Sequence, residues 1–168
     1  MTERPYRAPA GTGIGHMHLR VANLDRALAF YEGILGFQVQ ARVGNAAAFL
    51  GAPMADGTVY HHHIGLNTWD SRGGTPPPGG HTGLYHAAIL YPSRADLAQA
   101  VRRVLEVGHP LTGATDHGIS EAVYLNDPDG NGLELYRDRA PQDWPRDTEG
   151  GLVMELKPLD LAALMDRK

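Results

Sequence analysis

Cysteine is missing from all 168 residues, and its absence removes disulfides, zinc–thiolate sites and thiol nucleophiles together. Any metal site must then be built from histidine, aspartate and glutamate. An excess of positive charge is also missing. Lys and Arg number 15 against 19 Asp and Glu, a formal net charge of −4, so no basic field awaits a polyanion and nucleic acid is not an expected partner. No apolar run reaches the ~18 residues of a membrane span, and the opening MTERPYRAPAGTG has no apolar signal-peptide core. The expectation is a cytoplasmic chain without a membrane partner. At 42% hydrophobic content it can bury one ordinary core. What is abundant is histidine, with nine residues concentrated in a few short stretches, and function is sought there.

The order of elements is read from periodicity and turn residues. Residues 1–13 form an arm rich in Pro, Gly and Arg. Alternation over 15–21 predicts a strand, Asn23 caps a helix closed by Gly36, and strand-like runs follow at 37–43, 46–50 and 59–66. Residues 68–82, TWDSRGGTPPPGGHT, read as a linker, because their prolines and glycines extend neither helix nor central strand. The same order then recurs: a strand over 83–91, a helix capped by Ser93 and closed by Gly108, and strands at 110–114, 120–125 and 132–137. The predicted organisation is therefore a first βαβββ module over 14–67, a second over 83–138, and a tail over 139–168 holding one short helix. The fold class is α+β. One sheet with one helix leaves a face uncovered, so the two curved mixed sheets are expected to form a cup around a shared site.

His16 and His86 hold matched places in the first strands of the two modules, and Glu134 lies in the last strand of the second, between apolar neighbours. If all three face the cup, two imidazoles and a carboxylate converge. That donor set, with open positions left over, suits Fe(II) and accepts Mn(II), Ni(II) or Zn(II). Period two gives His18 the same side as His16, so strand direction leaves the metal a choice between them. The turn DPDGNG lacks the later glutamate of a calcium loop and reads as a hairpin turn.

The segments IGHMHLRVANLDRALAFYEGILGF, GLYHAAIL and YLNDPDGNGLELY resemble the vicinal-oxygen-chelate superfamily, which includes glyoxalase I, fosfomycin- and bleomycin-resistance proteins and extradiol catechol dioxygenases. The resemblance covers about residues 13–140. It implies His16, His86 and Glu134 as the metal ligands, with His16 preferred over His18. The run YHHHIGLNTW resembles the extradiol strand that carries an active-site histidine, here His62, and DHGISEAVYLNDPDG resembles the segment that supplies a histidine and a tyrosine, here His117 and Tyr124. Strand alternation allows either His62 or the pair His61 and His63 to face inward.

Three functions follow. The first is extradiol opening of a catechol-type ring with O₂ and Fe(II), His62, His117 and Tyr124 handling protons. The second is another metal-dependent reaction of the superfamily, such as isomerisation, epimerisation or thiol transfer. It is disfavoured because the first module's TVYHHHIGLN supplies histidine where a second carboxylate would stand. The third is sequestration of a small ligand in an apolar cleft. The expected partners are a small aromatic substrate, O₂ and a second copy in a homodimer.

Overall fold

The computed structural model describes residues 6–166. The first module comprises β1 (Met17–Arg20), α1 (Leu24–Tyr31), β2 (Gln38–Val43), β3 (Ala47–Gly51) and β4 (Ile64–Asn67). Its sheet runs β1-β4-β3-β2, with β1 parallel to β4 and the other pairs antiparallel. The second comprises β5 (Ala87–Leu90), α2 (Arg94–Glu106), β6 (Leu111–Asp116), β7 (Ser120–Asn126) and β8 (Gly132–Asp138). Its order, β5-β8-β7-β6, repeats the first with the same parallel pair, and β9 (Lys157–Pro158) adds a short strand beyond β6. The duplication read from element order is thus present in the hydrogen bonding. Both helix starts are the expected ones: Asn23 accepts from the Arg26 N–H at 2.9 Å, and Ser93 from the Asp96 N–H at 3.1 Å.

Strands of both modules contribute apolar residues to one shared core. Leu19, Leu50, Ile64 and Leu66 pack with Leu24 and Leu28 of α1; Val123, Leu125, Leu133 and Leu135 pack with Leu97, Val101 and Val104 of α2. A polar clasp crosses between the modules. Tyr31 donates to Asp127 Oδ2 at 2.9 Å, Arg26 to Asp129 Oδ1 at 2.6 Å, and Arg103 to the carbonyls of Gly33 and Ile34 at 2.6 and 2.9 Å. The DPDGNG stretch is a hairpin turn, and its two aspartates, Asp127 and Asp129, also fasten α1. In the tail, α3 (Leu161–Met165) buries Leu164 in the same core.

The strands begin later than periodicity suggests. β1 opens at Met17, whose N–H makes the first bond to the His63 carbonyl at 3.0 Å, and β5 opens at Ala87. His16 and His86 therefore stand one residue ahead of their strands rather than within them. The run at 59–66 shortens to β4, because 59–63 curls over the end of β3: Pro53 bridges Val59, and the Tyr60 N–H reaches the Ala52 carbonyl. Gly51 permits this approach, since a Cβ there would strike the Tyr60 carbonyl oxygen. The linker is also partly fixed. Ser71 Oγ donates to the Val21 carbonyl and the Gly73 N–H to that of Ala22, so the Pro/Gly-rich segment starts fastened to the end of β1.

Candidate metal centre

Leu133 and Leu135 turn into the core, which sends Glu134 between them to the opposite face of the second sheet. Register then sets its neighbours. Glu134 lies opposite Ala88 on β5, next but one to His86, and opposite Tyr124 on β7. His86 Nε2 stands 2.9 Å from Glu134 Oε2, and the Tyr124 hydroxyl stands 3.3 Å from Glu134 Oε1 and 2.7 Å from His117 Nε2. His117 Nδ1 is 3.1 Å from the Glu155 carbonyl. A carbonyl only accepts, so Nδ1 carries a proton and Nε2 of the neutral ring faces Tyr124 with its lone pair. The single phenol proton then has two acceptors, a ring nitrogen and a carboxylate. Partial burial, followed by the Glu134 charge, pushes the Tyr124 hydroxyl up to about 12, so it is a proton carrier rather than a phenolate at neutral pH.

On the first sheet, Met17 and Leu19 point toward the core and His16 and His18 away from it. The His16 and His62 rings lie 4.5 Å apart, and Phe49 stands edge-on to His62 at 5.3 Å. His61 and His63 instead stack on Tyr60 at 4.2 and 4.6 Å, and His63 Nδ1 accepts the Ala52 N–H at 3.1 Å. Of the three successive histidines, His62 is the one beside His16. Loss of solvent, then the charges of His16 and the other neighbouring imidazoles, hold His62 below the usual histidine value, which keeps it neutral and able to accept a proton.

The first module's counterpart of Glu134 is not a histidine. Met17 pairs with Ile64 as Ala87 pairs with Leu133, and one step on, His18 pairs with Gly65 as Ala88 pairs with Glu134. The matching position is Gly65. A Cβ there would meet the His18 ring at 2.8–2.9 Å, so His18 occupies the space a side chain would need, between Phe49 and Trp69.

Four expected residues are thus joined: His86, Glu134, Tyr124 and His117 form one connected chain. His16 and His62 form a separate pair. Among the described residues, no three His, Asp or Glu side chains gather closely enough to hold a metal ion. His86 and Glu134 fit two positions of such a site, because an imidazole nitrogen and a carboxylate oxygen 2.9 Å apart can both reach one divalent ion. The Glu155 carbonyl, which sets the His117 tautomer, is absent from the sequence reading, since a main-chain acceptor has no side-chain signature.

Comparison with known proteins agrees with this architecture. The model of the Glyoxalase/Bleomycin resistance protein/Dioxygenase superfamily matches residues 13–135. A Bacillus subtilis (strain 168) protein named catechol-2,3-dioxygenase is 39% identical over 155 residues, covering 92% of this chain and 52% of its own length. Biphenyl-2,3-diol 1,2-dioxygenase 3 of Rhodococcus globerulus is 30% identical over 86 residues, 46% of this chain and 41% of that protein. The chain spans about half the length of these curated relatives. A glyoxalase/dioxygenase from Nostoc punctiforme shares the fold with a TM-score of 0.61 at 22% identity, over 82% of this chain and 99% of that one. A lactoylglutathione lyase from Agrobacterium tumefaciens does so with a TM-score of 0.56 at 21% identity, over 77% and 96%. With the duplicated βαβββ sheets and the match across most of its length, this chain belongs to the glyoxalase/bleomycin resistance protein/dioxygenase superfamily.

Proposed function

We propose that this chain is a metal-dependent extradiol dioxygenase that opens a catechol-type ring with O₂. The observation that carries the reading is the run of contacts from His86 to Glu134 and on by hydrogen bonds through Tyr124 to His117, which places proton-carrying groups directly behind two metal donors. The 39% identity to a protein named catechol-2,3-dioxygenase supports it. His86, Glu134 and His16 would hold the ion, Fe(II) before Mn(II). When bound, the ion supplies a Lewis acid for both catechol oxygens and a route for electrons from the ring to O₂.

The protein's own groups handle the protons. His62, held neutral, accepts one from a catechol hydroxyl, so that the diol binds as an anion. The Tyr124 hydroxyl proton can be directed toward developing negative charge or held by the lone pair of His117 Nε2, because His117 Nδ1–H stays fixed on the Glu155 carbonyl. Both atoms of O₂ enter the ring-opened product, and no further reductant is needed. Lactoylglutathione-lyase-type chemistry fits less well, because Gly65 leaves the first module without a second carboxylate.

The test is reconstitution with Fe(II) under anaerobic conditions, followed by catechols and then oxygen. A yellow ring-fission product, with about one O₂ consumed per catechol, is the expected result. No turnover of catechol, 3-methylcatechol or 2,3-dihydroxybiphenyl by iron-loaded protein would overturn the reading.

A further inference from the structure

The tail past residue 138 lies outside the stretch that the superfamily model matches, yet it returns to the sheet that carries Glu134. The Glu155 N–H donates to the His117 carbonyl at 2.9 Å, and Lys157 and Pro158 pair with Asp116 and Thr115 on β6. We propose that Leu156, in this returning segment, is a specificity-determining residue of the site, and that the catechol it selects carries an uncharged apolar arm, a second ring or an alkyl chain. The inference rests on the ring-opening reading above and names the substrate class of that same site.

Register decides which way Leu156 points. Residues directly opposite one another in an antiparallel pair share a face of the sheet. Glu134 opposes Tyr124; Ala122, two residues from Tyr124, opposes Thr115; and Thr115 opposes Pro158, so Pro158 lies on the Glu134 face. The alternate residues take the reverse face. There Asp116 and Glu121 oppose one another and share the Arg139 guanidinium, and Lys157 opposes Asp116. Lys157 Nζ pairs with Glu155 Oε2 at 2.7 Å, which keeps both charged side chains on the reverse face and turns Leu156, between them, to the face of Tyr124 and Glu134. It is 81% exposed on that face, close to His117, whose ring meets the Tyr124 hydroxyl. Met154 and Leu152 continue the row at every second residue, 63% and 48% exposed, so the tail carries an apolar strip rather than one stray leucine.

Charge and reach decide what fits there. On the Glu134 face the strands of this sheet carry two carboxylates, Glu134 and Asp138, and no Lys or Arg, because Arg137, Arg139 and Lys157 are held on the reverse side by Glu121, Asp116 and Glu155. A catechol bearing a carboxylate arm would meet like charge without a counter-ion. Gly113, Thr115 and Ala122, which flank the path from Tyr124 to the tail, are small and uncharged. Three strand spacings of ~4.8 Å separate β8 from β9, so a bare catechol ring held at Glu134 falls short of Leu156, and an added ring or alkyl chain closes the gap. Taking that arm and the leucine out of water together favours binding.

The experiment uses the full chain loaded with Fe(II) and three probes: catechol, 2,3-dihydroxybiphenyl and 3-(2,3-dihydroxyphenyl)propionate. Anaerobic optical titrations give dissociation constants, and kcat/KM follows once oxygen is admitted. Wild type should favour 2,3-dihydroxybiphenyl over both other probes. Leu156→Ala should cut its preference for 2,3-dihydroxybiphenyl over catechol about 10-fold in both readouts, the scale of a lost apolar contact in a specificity pocket. Leu156→Lys should shift preference toward the propionate. Leu105→Ala, at another exposed leucine on α2, should leave every ratio in place. An unmoved ratio in Leu156→Ala would overturn the assignment while ring opening stands. So would a wild type that prefers catechol or the propionate, the latter placing recognition on a cation such as Arg20 of the first sheet. No turnover of any of the three probes would overturn the ring-opening reading and this inference with it.

Discussion

The Tyr124 hydroxyl lies 2.7 Å from Nε2 of His117, and the other nitrogen of that ring is committed to the Glu155 carbonyl. The pair can therefore exchange a proton only along the Tyr124 direction, toward or away from Glu134 at 3.3 Å. Tyr124→Phe keeps the ring and removes the hydroxyl. Metal content should stay at the wild-type level while turnover falls ~100- to 10,000-fold, as for loss of a positioned acid or base. Metal analysis alongside single-turnover kinetics checks this, and normal turnover would assign Tyr124 to packing.

His62 sits against His16 and Phe49, clear of the His86–Glu134 pair. His62→Gln should retain Co(II) affinity within a few-fold and lose ring-opening rate by ~100-fold or more. Loss of metal with full rate per bound ion would instead identify His62 as a ligand. Measuring both quantities on one preparation separates the two roles.

Much of this arrangement is readable from residue order, and the exceptions have physical causes. Asn23 and Ser93 announce helix starts because each side chain replaces a missing main-chain partner, and the recurring order of elements follows. The strand starts are harder, since 83–91 (GLYHAAILY) runs strand-like throughout with only His86 strongly polar, while hydrogen bonding begins only at Ala87. Glu134 and Tyr124 are each marked by apolar neighbours, but their contact depends on β7–β8 register. The clasp between the modules joins Tyr31 and Asp127, 96 residues apart. No local pattern carries that.

Asp116, next to His117, links pH to the stability of this region. Burial opposes its charge, but the Gly118 N–H at 2.8 Å and the Arg139 guanidinium at 2.7 Å outweigh burial and hold the carboxyl below its ordinary value. A depressed folded-state pKa contributes stability that is present above the unfolded value of 3.8 and is lost as pH falls through the lower folded value. Asp116→Asn should cost about 1 kcal/mol at pH 7 and progressively less in acid. Urea melts at neutral and acid pH read the difference directly, and a constant difference across pH would contradict the assigned contacts.

The clasp between the modules should be measurable by itself. Tyr31 is fully buried and donates to Asp127, whose remaining contacts go to its own turn. Tyr31→Phe removes one hydrogen bond to a charged acceptor with little change of volume, so unfolding free energy should drop by about 1.5–3 kcal/mol. Equal stability in urea titrations would show that Asp127 finds another donor.

Gly65 supplies the sharpest test of the internal comparison, because it occupies the place that Glu134 holds in the other module. Its Cβ position lies 2.8–2.9 Å from ring atoms of His18, closer than side chains tolerate, and that ring stands 5.7 and 5.6 Å from those of Phe49 and Trp69. Gly65→Ala must displace the ring, at a cost of about 1–3 kcal/mol typical of overpacking. His18→Ala removes the obstacle while leaving the strand intact. The double variant His18→Ala with Gly65→Ala should then be more stable than the two separate losses predict, with a coupling of about 0.5–3 kcal/mol. Additive losses in denaturant melts would mean that something other than His18 excludes a side chain at Gly65. If the coupling is found, the first module lacks a second carboxylate because a histidine ring fills its place, which leaves Glu134 as the carboxylate of the two matched positions.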